Sequence, residues 1–219
     1  MIKLSASFNP CPEVKAVDYC KLLQRMNADY LHCDIMRSDF VGHDALSVET
    51  IKDIYDNTLM PLDVHVMANE PKSLLKTLIA IKPNIITVHY EAFKNKKDML
   101  NAFKQIHKKH IMVGLSINPS TFVKDIKEYL PYVDVVLIMG VEPGKSGQKM
   151  ISNTLPKVKE LRGIIYNCDY KIKIEVDGGV NEQNIKDIYN AGADIVVMGS
   201  CLYDSPNKTK LIEKVHNIQ

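Results

Sequence analysis

The sequence predicts a closed (β/α)8 barrel of the TIM type. Short β-branched runs alternate with longer stretches of helical spacing about eight times, no GxGxxG loop follows the first run, and 219 residues suffice for one such barrel. An open doubly wound sheet usually has fewer strands and a glycine-rich loop after the first, so the count and the missing loop both favour closure. Two unrelated domains would be cramped in this length, and no linker or low-complexity tract divides it. Residues 1–219 are therefore expected to form a single barrel domain around an eight-stranded parallel core.

In chain order the strand candidates are Ile2–Phe8, Asp29–Met36, Leu62–Met67, Ile85–Tyr90, Ile111–Ile117, Val133–Met139, Tyr170–Asp177 and Asp194–Gly199. Helical spacing fills the intervals at Val14–Met26, Val48–Tyr55, Lys72–Lys82, Lys96–Lys109, Phe122–Tyr129, Leu155–Tyr166 and Gln183–Asn190, with a closing helix near Lys208–His216. Pro12, Pro71 and Pro206 stand where helices begin, and Gly192 stands where a C-terminal cap belongs.

Composition excludes several classes. The 28 basic and 26 acidic residues are dispersed and leave a formal net charge of +2, so no basic block invites nucleic acid. No run approaches the length needed to cross a bilayer, and the start, from Met1 through Lys3 to Ser5 and Ser7, lacks the apolar core of a signal peptide; a cytoplasmic protein is expected. The 5 cysteines form no CxxC pair and are expected to be reduced and mostly buried.

In a barrel of this kind the active site lies at the C-terminal ends of the strands, and several strands here end in polar residues. The second ends His32-Cys33-Asp34-Ile35-Met36, the third Asp63-Val64-His65-Val66-Met67, and the seventh Glu175-Val176-Asp177-Gly178-Gly179. Period-two alternation puts His32 with Asp34, Asp63 with His65, and Glu175 with Asp177 on shared faces; Cys33 points the other way. His89 on the fourth strand is a further candidate.

An isolated strand histidine is more often a hydrogen-bonded core residue than a ligand. Two histidines with two or more carboxylates on neighbouring strands, however, match the ligand types of Zn²⁺, Fe²⁺ or Mn²⁺, although spacing alone does not say which four bind. A phosphate grip is the second feature. Gly144-Lys145-Ser146-Gly147-Gln148, Gly178-Gly179 and Gly199-Ser200 are glycine turns after the last three strands, where backbone N–H groups suit a phosphorylated ligand.

At these residues the chain resembles the ribulose-phosphate 3-epimerase family over essentially its whole length. The matching segments are Leu4-Ser5-Ala6, His32-x-Asp34-x-Met36, Pro61 to Met67, Thr87-Val88-His89, Gly114-Leu115 with Asn118-Pro119, Glu142-Pro143-Gly144 with Gly147-Gln148, Glu175 to Gly179, and Ala191-Gly192-Ala193-Asp194. The resemblance implies a divalent metal (Zn, Fe, Mn or Co) on His32, Asp34, His65 and Asp177, with Asp34 and Asp177 also serving as catalytic acid and base. It further implies that Ser5 and His65 contact substrate, that Met36, Met67 and Met139 line the site, and that Gly144, Gly147, Gly178, Gly179, Gly199 and Ser200 surround phosphate. The expected partners are a phosphorylated ketose and further copies of the chain in a homo-oligomer, with neither nucleic acid nor membrane.

The chemistry is coherent on its own terms. A cation on the carbonyl and neighbouring hydroxyl oxygens lowers the cost of an enediolate, and two carboxylates on opposite faces of it can exchange proton donor and acceptor roles to invert the carbon. D-ribulose 5-phosphate to D-xylulose 5-phosphate is the expected reaction; another ketose phosphate, such as D-allulose 6-phosphate, is the near alternative, and a non-catalytic phosphate-binding barrel a more distant one. A decarboxylase or aldol-type reading would need Asp-x-Lys-x-x-Asp; Asp34 and Asp39 have that spacing, but Met36 replaces the lysine. The chain departs from the family pattern at Arg37-Ser38-Asp39 and Gly42, where the family reads Met-Asp-Gly-x-Phe-Val-Pro, and at Lys145-Ser146, where it reads Gly-Phe-Gly-Gly-Gln. These changes are expected to alter the rim beside the metal and the loop over the phosphate.

Overall fold

The structure, a computed structural model, describes residues 2–145 and 147–218. Ser146, one of the two loop departures, lies outside the described residues. Eight strands close into one barrel in chain order: β1 (Lys3–Ser7), β2 (Tyr30–Met36), β3 (Leu62–Met67), β4 (Ile85–His89), β5 (Met112–Ile117), β6 (Val135–Met139), β7 (Lys173–Asp177) and β8 (Ile195–Met198). Every neighbouring pair is parallel, and β1 pairs with β8 to complete the ring.

Around the barrel run α1 (Ala16–Arg25), α2 (Ser38–Val41), α3 (Val48–Asn57), α4 (Lys72–Ile81), α5 (Lys96–His107), α6 (Thr154–Asn167), α7 (Ile185–Ala191), α8 (Ser200–Tyr203) and α9 (Lys208–His216). Side-chain oxygens of Ser47, Asn95 and Asn207 accept the backbone N–H three residues on and so cap α3, α5 and α9. Gly192 ends α7 at φ 112°, a left-handed turn where a Cβ would meet the Arg162 side chain.

Alternation divides the apolar residues into two regions. Outward residues such as Leu31, Cys33, Ile35, Val64 and Val66 pack beneath the helices in the main core. Tyr30, Ile85, Val135 and Ile195, each the first residue of an even-numbered strand, form a separate cluster that fills the barrel's N-terminal end. The residue before each of these closes a ring of bonds to the preceding odd strand. Asp29 accepts from Leu4 N (2.9 Å), Asn84 from Leu62 N (3.1 Å), Asp134 from Val113 N (2.8 Å) and Asp194 from Ile174 N (2.7 Å). The lower end is thus apolar and tied shut, which leaves the upper end for polar groups.

One expected helix differs. Phe122–Tyr129 has helical spacing, yet the chain forms a 3-10 helix over Val123–Tyr132 with Pro131 inside it. Proline has no N–H to donate and its ring opposes the carbonyl of an α-helical turn, so tighter turns replace a regular α-helix. The four-residue α2 and α8 are not legible because they span barely one helical turn, too little for a period to repeat. Among the described residues, no helix is long and apolar enough to cross a membrane.

Candidate active and metal-binding site

Register brings the polar strand ends together. Parallel pairing aligns His32 with Asp63 and Asp34 with His65 across β2 and β3, and all four side chains face the barrel axis. Asp177, the last residue of β7, reaches them from the other side of the mouth. His32 Nε2 lies 3.1 Å from Asp34 Oδ1 and 3.9 Å from Asp177 Oδ2; His65 Nδ1 lies 3.2 Å and 3.8 Å from the same two oxygens. The four ligand atoms of His32, Asp34, His65 and Asp177 all fall within 4.8 Å of one another.

Behind this set stand groups that orient it. Asp63 Oδ2 lies 2.7 Å from His32 Nδ1 and accepts from Ser5 Oγ at 2.7 Å. Ser5 is therefore fully buried beneath the imidazole and does not face the open site, contrary to the expectation that it contacts substrate. Ser7 is the β1 serine that faces the open end. It lies one alternation nearer the C-terminal end of β1, lines the cavity, and donates from Oγ to Asp34 Oδ2 at 3.3 Å. His89 lies behind His65, with its Nε2 2.8 Å from His65 Nε2, and brings no further ligand atom to the four.

Charge at the site is strongly perturbed. Burial opposes protonation of His32, but the Asp34 and Asp63 carboxylates overcome it and hold its pKa well above the ordinary value. Burial would raise the Asp34 pKa; the adjacent His32 and His65 rings outweigh that and hold it far below the usual carboxylate range. Burial and the neighbouring Asp34 carboxylate push Asp177 up to about 6. Burial and Asp63 push Glu175 well above its usual value. Among the described residues, no Lys or Arg forms an ion pair with Asp34 or Asp177. A buried and a partly buried carboxylate with two convergent imidazole nitrogens and no lysine or arginine partner fit a divalent cation, which would take the place of imidazole protons as the positive charge.

Above the four residues opens a cavity of about 500 Å³. Asp34, Asp177 and the methionines Met36, Met67 and Met139 form its floor, while Gly144, Lys145, Gly147, Gly178, Gly179, Gly199 and Ser200 form its walls. His65 is completely buried and is not among the cavity-lining residues. Gly178 and Gly179 have φ of +104° and +69°, and a Cβ on Gly179 would lie 2.3 Å from Met150 N. No other residue fits that turn without moving the backbone.

Lys145 lies in the cavity wall. Arg37 does not: its Nη1 donates to Met36 O at 2.9 Å, and Asp39 Oδ1 accepts from Asn69 N at 3.3 Å. With Arg37 N donating to Met67 O, residues 37 and 39 tie the loop after β2 to the end of β3 and the loop that follows it. Asn9, Lys149 and Asn181 also line the cavity; they sit on irregular segments where neither periodicity nor the quoted motifs point inward.

A cavity that ends on the Asp34 and Asp177 carboxylates at the C-terminal face of a (β/α)8 barrel is the arrangement of a barrel enzyme. Residues 3–203 match the sequence profile of the Ribulose-phosphate 3 epimerase family. Ribulose-phosphate 3-epimerase of Helicobacter pylori is 32% identical over 212 residues, covering 95% of this chain and 96% of that protein. The Bacillus subtilis protein of the same name is 31% identical over 216 residues, covering 98% of each. The chain belongs to the ribulose-phosphate 3-epimerase family and is an isomerase of the epimerase type. Among solved structures, a 3-hexulose-6-phosphate synthase superposes with a TM-score of 0.73 at 14% identity, covering 98% of each chain, which shows a shared fold.

Proposed function

We propose that this chain interconverts D-ribulose 5-phosphate and D-xylulose 5-phosphate by inverting C3. The supporting observation is the placement of Asp34 and Asp177, which come from β2 and β7, lie within one ligand cluster, and both open on a cavity whose far wall is built from glycine turns. His32, Asp34, His65 and Asp177 would hold one divalent metal, which when bound would polarise the substrate's oxygens and stabilise negative charge developing on them.

The residues then divide the work. Asp34 turns Oδ1 toward the imidazoles and Oδ2 toward Ser7, whose hydroxyl holds the carboxylate in place at the cavity floor. One aspartate removes the C3 proton from one face of the sugar, and the other returns a proton to the opposite face; their roles exchange in the reverse direction. Met36, Met67 and Met139 give the planar intermediate an apolar surround that excludes water. Backbone N–H groups of Gly178, Gly179, Gly199 and Ser200 bind phosphate, and Gly144 and Gly147 border it from the loop after β6.

A substrate panel tests this reading. Metal-loaded protein is expected to turn over D-ribulose 5-phosphate with a higher kcat/KM than D-allulose 6-phosphate. The opposite order would reassign the substrate to a ketohexose phosphate, and turnover of neither would leave a phosphate-binding barrel.

A further inference from the structure

We propose that Glu91, acting through His89, is a positioning residue that sets the ring tautomer of His65 and so presents Nδ1 of that ring as a lone pair to the four-ligand site. The inference rests on the metal reading given above and assigns residues outside the ligand set.

Two buried imidazoles and a partly buried carboxylate form a line from the site to the barrel wall. His65 Nε2 lies 2.8 Å from His89 Nε2, with the two rings nearly parallel at 19°. Two ring nitrogens at that separation share one proton, because two N–H groups would collide and two lone pairs would repel. On the far side of His89, Nδ1 lies 3.2 Å from Glu91 Oε2. The other carboxylate oxygen, Glu91 Oε1, accepts from Asn118 N at 2.9 Å and from Thr121 Oγ1.

Donor and acceptor accounting then fixes the direction. An ionised Glu91 can only accept, so His89 must carry its hydrogen on Nδ1. A neutral His89 then has a bare Nε2, which accepts from His65 Nε2–H. His65 Nδ1 is left without a hydrogen, 3.2 Å from Asp34 Oδ1 and 3.8 Å from Asp177 Oδ2, where a ligand atom is needed. The reverse direction would set a bare His89 nitrogen against a carboxylate oxygen, two acceptors with no hydrogen between them. It would also place a hydrogen on His65 Nδ1, which could not then bind a cation.

The two histidines of the set are thus oriented by different devices. His32 has a carboxylate directly behind it in Asp63. His65 has one at second hand, because register places Thr87 beside it and sets His89 one alternation further up β4. Phe40, 4.8 Å from His89 between ring centroids, packs against the relay from the loop after β2.

Glu91→Gln is a directed test because its geometry is already decided. The donors Asn118 N–H and Thr121 Oγ1–H hold the amide oxygen, so the NH₂ must face His89 Nδ1 and reverse the relay. Zn²⁺ affinity, measured by chelator competition with Zn²⁺ alone, is expected to fall about 10- to 100-fold, the range for loss of an outer partner of a ligand histidine. The metal-free variant should keep its wild-type circular dichroism. In zinc-loaded wild-type protein labelled with ¹⁵N-histidine, long-range ¹H–¹⁵N correlations should show His65 protonated at Nε2 and His89 protonated at Nδ1. Wild-type Zn²⁺ affinity in Glu91→Gln, or a His89 protonated at Nε2 in wild type, would overturn the relay alone, and the spectrum decides even if the variant fails to fold. Failure of wild-type protein to hold Zn²⁺ at all would instead refute the metal reading and the relay with it.

Discussion

Asp34 and His65 are register partners on adjacent parallel strands, and Nδ1 of the imidazole lies 3.2 Å from Oδ1 of the carboxylate. Residues so aligned face the same side at adjacent positions, so a pair 31 residues apart in sequence is held as rigidly as the sheet itself. His32 and Asp177 complete the set from the same face of β2 and from the end of β7.

Metal dependence follows from that convergence. Stripping the protein with a chelator should abolish epimerisation, and adding back Zn²⁺, Fe²⁺, Mn²⁺ or Co²⁺ should restore it to differing degrees. His65→Ala should show little bound metal by elemental analysis. Wild-type metal content in that variant, or full turnover by rigorously metal-free protein, would remove His65 from the ligand set.

Asp34→Asn and Asp177→Asn should each lower kcat by at least the roughly 10²- to 10⁴-fold associated with one acid–base group. The loss should exceed that range where metal binding also suffers. In deuterated water the epimerised product should carry deuterium at C3, read by mass spectrometry; product retaining only the original hydrogen would count against two-base exchange with solvent.

Lys145 stands in the cavity wall where the family has an aromatic residue. If its ammonium engages the substrate dianion, Lys145→Ala should raise KM more than it lowers kcat, the mark of lost uniform binding. The effect should shrink with added salt. Identical kcat and KM in the two proteins at low salt would mean that the side chain is simply solvated.

Asp29 tests the ring at the barrel's lower end. Asp29→Ala leaves Leu4 N–H, on a fully buried residue, without its acceptor, and also removes the partner of His216 Nε2 at 2.8 Å. Loss of one acceptor from a buried donor costs about 1–3 kcal/mol. For a chain of this size each kcal/mol lowers Tm by roughly 2–4 °C. Calorimetry should therefore show a fall of several degrees with little change in KM, because Asp29 precedes β2 at the end of the barrel opposite the cavity. An unchanged Tm would show that water replaces the carboxylate without cost.

Much of this was legible in the sequence because strands obey a short period. The period alone predicts all eight strands to within a few residues, and alternation puts His32 with Asp34 and Glu175 with Asp177 on common faces. The glycine turns after β6, β7 and β8 were visible for a related reason: positive φ and close backbone approach select glycine, and Gly178 and Gly179 show both.

What tertiary structure alone decided was depth along each strand and partnership between strands. Alternation places Ser5 and Ser7 on the same face but cannot say which one reaches the open end; the stagger of β1 against β2, which pairs Ser7 with His32, buries Ser5 under Asp63 and leaves Ser7 at the cavity. Likewise the sequence shows His65 and His89 as strand histidines and does not single out Glu91; only the register of β3 against β4 and the turn after β4 set the three in a line. A period of two is a property of one strand, dictated by its own backbone, whereas stagger and closure depend on all eight strands fitting together at once.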